Sequence, residues 1–452
     1  MTLLNELSAE VCQRARMSRD PRFDGRFFVA VKTTGIFCRP ICPANLPKEE
    51  NVEYFSSQAL AVSAGYRPCL RCRPESAPHS WAWKGAETTF LRALTLIEQG
   101  ELDGSLETLA SRLGISDRYL RQLFQRHLGI PPKQYAQIQQ LMFAKQLLHT
   151  SQISITEVAY ASGFQSTRRF NDAFQKLFRL TPTQVRRERA ALPSRNHLSL
   201  AFRGPFDWAH MLDFYRLRAI EGMELVDEQS YQRHFVLGEG TGWFKASMAQ
   251  SHLDIEFEME RLSDLRHLVA RLRRMFDLDA DLISIEAHLE QVAPGLVRRT
   301  GIRIPGVWNA WEAGVRAVLG QQVSVKAAIG QLNLLVSTLA ASEGSTRYFP
   351  TPEQVQMSDL SFLRMPERRK ETLKRLADYV RLHPMDSPMA WLSLSGIGPW
   401  TVDYAQLRGE SRSHCFLTGD LIVKKALAKF PQLTAESVAP WGSYATFHCW
   451  SH

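Results

Sequence analysis

The chain has 452 residues, 44% of them hydrophobic and 22% charged, and a formal net charge of +9. That composition excludes global disorder, and at roughly 100–200 residues per domain the length predicts three or four domains. The charge is uneven: residues 1–195 carry 27 Lys and Arg against 17 Asp and Glu, the remainder 28 against 29, so the first part is expected to meet a polyanion. No apolar run is long enough to span a membrane, and Met1–Asp20 lacks the apolar core of a secretory signal, so no membrane partner is expected. Seven cysteines are odd in number and too few for a disulfide scaffold, which points to a reducing cytoplasm.

In chain order, the first feature is Cys38-x3-Cys42 followed by Cys69-x2-Cys72. Two close pairs across a loop bring four thiolates to one tetrahedral Zn²⁺. From spacing alone this is a structural clip. The 74–84 stretch reads as a linker. Helical periodicity begins at Glu87, with Phe90, Leu91, Leu94 and Ile97 on one face and Gly100 as the stop. Residues 105–129 read as helix, turn at Gly114, and a helix capped by Ser116. From Ser154 the pattern repeats, with its turn at Gly163 and a helix opening at Ser166. Leu109, Leu113, Leu120 and Phe124, with Val158, Phe164, Phe170 and Phe174, are expected core. A plain helical bundle and a pair of helix-turn-helix units both fit, and Arg118, Arg121, Arg168 and Arg169 on the second helices favour the pair. A second linker is expected over 190–197. Beyond it, His252–Met259 alternates as a half-buried antiparallel strand, with weaker strands at Tyr231–Leu237 and Trp243–Ala249 around a Gly-rich turn. From Leu262 onward nearly everything reads helical. Gly396-Ile397-Gly398 is a turn able to bind phosphate through backbone N–H groups at a helix start. Asp420 precedes another helical run, where an N-cap is the commonest reason for an Asp.

The residues around the first cysteines, FFVAVKTTGIFCRPICPANLPKEENVEYF and AGYRPCLRCRP, resemble the N-terminal domain of the Ada DNA-repair family over about residues 10–75. That resemblance implies that Cys38 accepts a methyl group from DNA methyl phosphotriesters while ligating zinc, with Arg39, Arg67, Arg71 and Arg73 near the phosphates. The double helix-turn-helix and the tail Thr181–Arg186 resemble the AraC-type DNA-binding domain. The turn at 396–398 with Asp420 has the arrangement of helix-hairpin-helix DNA glycosylases. Ile304-Pro305-Gly306 and Val315–Ser324 look like the 3-methyladenine glycosylase AlkA, a likeness running from about Leu198 to His452.

The combined resemblance implies a multidomain, mainly α protein with α+β parts. It would comprise a zinc-bound Ada-type domain (1–80), an all-α AraC-type domain (85–190), an AlkA-like subdomain with a small antiparallel sheet (196–282) and a helix-hairpin-helix domain (283–452). Asp420 would stabilise the oxocarbenium-like sugar, and Trp400, Tyr404 and Trp450 would stack the flipped base, with ordinary core packing the competing explanation for all three rings. Gln322 stands where the family has an apolar wedge. Trp400 occupies the position of the Schiff-base Lys of bifunctional members, so strand cleavage is not expected. Cys415 and Cys449 are too few for an iron–sulfur cluster, and the Pro-Cys-His-Arg motif of an O6-alkylguanine transferase is missing. A monovalent cation at the hairpin, double-stranded DNA and RNA polymerase as partners, a monomeric state and a nucleoid-associated location in the bacterial cytoplasm complete the expectation. Two rivals stand beside it: a transcription factor with an inert second half, and a glycosylase with a merely structural zinc clip.

Overall fold

The computed structural model describes residues 7–451 apart from 21–22, 70, 73, 75–80, 99, 101, 103–104, 188–195, 340–341, 345 and 385. Arg73 and most of both expected linkers lie outside the described residues. Two compact units divide the chain, Met1–Gln139 and Gln140–His452.

In the first unit, α1 (Ala9–Met17) precedes a four-stranded sheet built from β1 (Phe28–Val31), β2 (Ile36–Cys38), β3 (Val52–Phe55) and β4 (Arg67–Pro68), with α2 (Gln58–Ser63) before β4. The order is β3-β1-β2-β4, and only β2 and β4 run parallel. Helices α3 (Trp81–Glu98), α4 (Leu106–Arg112) and α5 (Asp117–Leu128) follow, and α6 (Pro132–Thr150) crosses the boundary between units. Because α3 starts at Trp81, the helix takes in the last residues of the stretch expected to be a linker. Phe90, Ala93 and Ile97 are buried, but Leu91 is 55% exposed, since one step past Phe90 turns it about 100° off the apolar face. Serine oxygens cap the local helices: Ser105 and Ser116 accept from the N–H groups of Thr108 and Tyr119, satisfying donors that the first turn leaves free.

The second unit opens with α7 (Ile155–Ala161), α8 (Thr167–Phe178) and α9 (Pro182–Arg187). Ser154 and Glu157 form a capping box at α7, and Ser166 caps α8. All four apolar positions expected in this core, Val158, Phe164, Phe170 and Phe174, are buried. Next come β5 (His197–Ala201), α10 (Trp208–Arg216), β6 (Glu224–Val226), β7 (Ser230–Leu237), β8 (Gly240–Met248) and β9 (His252–Met259), an antiparallel sheet of order β5-β9-β8-β7-β6. Leu253, Ile255 and Phe257 alternate inward as expected. One continuous core joins the sheet to α7 and α8, with α7 beside the short 3-10 turn Leu262–Asp264.

The rest is helical: α11 (Leu265–Met275), α12 (Leu282–Val292), α13 (Ala310–Gly320), α14 (Val325–Leu339), α15 (Pro352–Met357), α16 (Glu367–Leu382), α17 (Pro399–Glu410), α18 (Leu421–Lys429) and α19 (Gly442–Trp450). Helices α13 and α17 approach so closely that a Cβ on Gly409 would lie 2.5 Å from Ala310 Cα. A buried four-charge network ties the sheet to α13. Arg233 meets Glu224 and Glu312 at 2.9 and 2.5 Å, and Arg316 meets the same pair at 3.1 and 2.9 Å. Burial alone would raise the Glu312 carboxyl, but the two guanidiniums overcome it and hold it down to about 2. No helix among the described residues is long and apolar enough to cross a membrane.

Candidate functional sites

Parallel pairing of β2 with β4 sets Phe37 beside Pro68, and the Cys69 N–H donates to Phe37 O at 3.0 Å. Cys38 and Cys69 therefore leave the sheet side by side. A turn in which the Cys42 N–H donates to Arg39 O at 3.1 Å folds the second ligand back. The four Sγ atoms of Cys38, Cys42, Cys69 and Cys72 all fall within 4.8 Å of one another, against about 3.8 Å between sulfurs around a tetrahedral Zn²⁺. Thiols this close cannot all ionise unaided. Cys38 is pushed far up by its hydrogen bond to Cys72, by burial and by the other sulfurs, while the same hydrogen bond draws Cys72 down to about 5. A dication removes that conflict, and the donor set fits one Zn²⁺. Arg39 is engaged beside the cluster: its Nε donates to Asp24 Oδ1 at 2.8 Å, and Asp24 is buried. Arg67 and Arg71 are exposed.

Arg118 and Arg121 sit exposed in the first turns of α5, where Arg121 pairs with Asp117 at 2.8 Å. Arg168 takes the place on α8 that Arg118 takes on α5, and Arg169 follows it; both are exposed. The turns at Gly114 and Gly163 have φ of +68° and +84°, a left-handed geometry that glycine adopts freely.

In the second unit Trp400, Tyr404, Trp450 and Asp420 line one cavity of about 380 Å³. Trp400 and Tyr404 lie one turn apart on α17 and stack, with centroids 5.3 Å apart and planes at 28°. Trp450, near the end of α19, lies parallel to Phe214 at 6.3 Å. Asp420 is the N-cap of α18: its Oδ1 accepts from the Ile422 and Val423 N–H groups at 2.9 and 3.2 Å, and from Trp450 Nε1 at 3.1 Å. All three bonds fall on Oδ1, so Oδ2 has no donor among the described residues. Buried Arg408 donates to the Tyr404 hydroxyl at 2.9 Å, leaving the phenolic proton available.

The hairpin adjoins this region. Gly396 has φ +92°, and a Cβ there would lie 2.1 Å from Thr372 Oγ1. Ile397 is buried, and Gly398 is the N-cap of α17 with Pro399 in its first turn. Gln322, with φ +57°, lies between Gly320 and Val323 in the chain, both of which line the ring-lined cavity. It shares a shallow groove with Arg368, Arg369 and Gly396. Sequence reasoning missed Phe214 and Arg218, both of which line the main cavity. They come from the end of α10 and the residues just after it, outside every motif, and only their i, i+4 spacing hinted at them.

A family model described as the metal binding domain of Ada matches residues 11–75, one described as a helix-turn-helix domain matches 109–188, and one described as the AlkA N-terminal domain matches 197–309. The Escherichia coli DNA-3-methyladenine glycosylase 2 is 33% identical over 56% of this chain and 96% of its own length. The Escherichia coli bifunctional transcriptional activator/DNA repair enzyme Ada is 34% identical over 38% of this chain and 47% of its own length. A Mycobacterium tuberculosis protein, described as a probable bifunctional transcriptional activator/DNA repair enzyme AlkA, is 34% identical over 98% of this chain and 96% of its own length. Because that relative matches from end to end, with the segments in the same single chain, this protein belongs to the family of bifunctional transcriptional activators and DNA-repair enzymes that join an Ada-type half to an AlkA-type half.

Proposed function

We propose that the protein hydrolyses the N-glycosidic bond of alkylated purines, of the 3-methyladenine type, in double-stranded DNA. In this scheme it also accepts methyl groups from DNA methyl phosphotriesters on Cys38, once per molecule, and regulates transcription through its helix-turn-helix pair. The observation that carries the first activity is Asp420: a carboxylate with one oxygen fixed by three donors and the other free, in an aromatic-lined cavity.

An alkylated purine must leave the duplex to be reached, and the stacked Trp400–Tyr404 pair with Trp450 offers rings against which it can lie. Electron-rich rings favour a cationic base by cation–π attraction, about 0.5–2 kcal/mol each. As the C1′–N bond breaks, its electron pair goes to the base and positive charge gathers on the sugar. The free oxygen of Asp420 meets that charge, and water adds to C1′ with loss of a proton. Capping and catalysis use different oxygens, so the two roles are compatible. The Gly396–Gly398 hairpin would hold the DNA backbone with Gln322 near the strand gap, and a monovalent cation at the hairpin belongs to the same scheme.

Zinc, where bound, keeps the thiolate nucleophile ionised at neutral pH. Arg67 and Arg71 stand ready for the neighbouring phosphates, whereas Arg39 serves Asp24. Attack by Cys38 sulfur on a phosphotriester methyl makes a thioether and returns the phosphodiester. We assign residues 1–80, 85–190, 196–282 and 283–452 to the four functional modules, and expect a monomer that meets RNA polymerase at promoters in the nucleoid of a bacterial cytoplasm.

The test is base release from randomly methylated duplex DNA. Free methylated purine and an unbroken abasic strand are the expected products. A covalent adduct trapped by borohydride would contradict the monofunctional assignment, because Trp400 leaves no amine in the hairpin motif. Mass spectrometry after exposure to methyl phosphotriester DNA should find one added methyl, on Cys38.

A further inference from the structure

Five side chains that change charge with protonation line the main cavity besides the tyrosine: His210, Asp213, Arg218, Arg316 and Asp420. Three are accounted for. The His210 ring meets the Ser451 hydroxyl at 3.2 Å, and burial lowers its pKa; Asp213 pairs with Arg216; and Arg316 is answered by Glu224 and Glu312. Arg218 and Asp420 remain, and neither is paired with the other or with a further charge among the described residues. The Arg218 guanidinium lies 3.7 Å from the centroid of the Phe214 ring, with Nη1 donating to Phe214 O at 3.2 Å. Burial, then the neighbouring Arg408 and Arg316, lower it to about 10, which still leaves it charged at neutral pH. Trp450 stacks parallel to that same Phe214 ring while its Nε1 holds Asp420. Each lone charge thus has its own member of an aromatic pair, the negative one at Trp450 and the positive one at Phe214.

We propose that Arg218 is a second electrostatic group of the excision reaction, working on the base while Asp420 works on the sugar. The inference rests on the excision reading above. An N-methylated purine enters as a cation. When the C1′–N bond breaks, the electron pair passes to the base nitrogen, the base becomes neutral and the positive charge moves to the sugar. Arg218 repels the charge where it starts and Asp420 attracts it where it goes, so both favour the transition state over the bound substrate. A group that acts in this way costs ground-state affinity and speeds the bond-breaking step. A guanidinium that merely packs on Phe214 would lose both together when removed.

The experiment uses the full chain and duplex DNA methylated at purine N3 and N7. Single-turnover release at saturating enzyme is compared for wild type, Arg218→Gln, Arg218→Lys and Asp420→Asn. Duplex affinity is measured with and without Arg218→Gln in the Asp420→Asn background, where no turnover intervenes. Arg218→Gln should slow release by about tenfold or more, leave affinity unchanged or tighter, and be largely restored in Arg218→Lys. Release within about twofold of wild type would overturn the proposal. So would a parallel loss of rate and affinity that Lys does not rescue, the sign of a collapsed cavity. A wild type that releases no methylated base would instead overturn the excision reading, and this inference with it.

Discussion

At Asp420 the helix cap occupies one carboxylate oxygen, and the proposed reacting charge would use the other. Asparagine caps a helix nearly as well as aspartate but carries no charge. Asp420→Asn should therefore keep the melting temperature and the affinity for methylated duplex, while single-turnover release falls by about a hundredfold or more. Asp420→Ala should add a stability loss of about 1 kcal/mol for the missing cap. Normal turnover in the Asn variant would leave the residue a cap alone. Asp277 tests burial in the same direct way. It is buried at φ +53°, its Oδ2 accepts from the Tyr444 hydroxyl at 2.9 Å and the Ile304 N–H at 3.2 Å, and burial outweighs both bonds to push its pKa up to about 7. An unfolded Asp ionises near pH 3.9. Between those values the folded state holds the extra proton, so this group's contribution to stability falls as pH rises. Asp277→Asn tolerates the backbone and keeps an acceptor. Thermal melts of wild type and variant from pH 4 to 7 should show a steeper decline in wild type, and parallel curves would refute the assignment.

Elements were legible in the sequence to the extent that their physics is local. Strand His252–Met259 was readable because its alternation is a one-sided burial pattern, and both helix-turn-helix units because serine caps and positive-φ glycines mark their ends. Strand His197–Ala201 was not, since it takes its place only from a partner distant in sequence. The candidate sites divide in the same way. Cysteine spacing and the hairpin motif announced themselves, whereas Arg218 acquires meaning only when α10 is set against α17 and α19. Gln322 was placed in the substrate set from its position in a motif; it lines the groove beside the hairpin, while Gly320 and Val323 near it in sequence line the ring-lined cavity. The hairpin allows an element-level test. Gly396→Ala meets Thr372 Oγ1 and a left-handed φ, a backbone cost of about 1–2 kcal/mol before any clash. Weaker duplex binding and a lower melting temperature are expected. Thr372→Ala should restore part of the loss, because it relieves the contact but leaves the φ. Full restoration would show that sterics alone had shaped the turn.

At the scale of the whole molecule, the proposed methyl transfer would change the charge of the zinc centre. Four thiolates around Zn²⁺ carry a formal −2, and a methyl on Cys38 sulfur makes that −1. A unit charge a few ångströms from a phosphate is worth on the order of 1–4 kcal/mol, depending on screening, or roughly tenfold to a thousandfold in affinity. Methylated protein should therefore bind its promoter more tightly, with Arg118, Arg121, Arg168 and Arg169 contributing the salt dependence. Promoter affinity at fixed salt, before and after exposure to methyl phosphotriester DNA, measures this. Cys38→Ala should not respond, and equal affinities in wild type would leave the zinc centre without a regulatory part. Cys69→Ser should lose the zinc itself, read by metal analysis.

The apolar core that runs from α7 and α8 into the five-stranded sheet bears on how such a chain is cut and joined. Segments strung on free linkers can be exchanged like beads, because each seals its own interior. Here a scission at 190–197 would open a greasy seam along α7 and the Leu262–Asp264 turn. A transplanted second half would have to bring polar replacements for residues such as Leu262, and the severed helix-turn-helix a replacement for Ile155. A chain that carries either part alone must therefore close this seam with its own side chains, the second helix-turn-helix on one side and the sheet on the other.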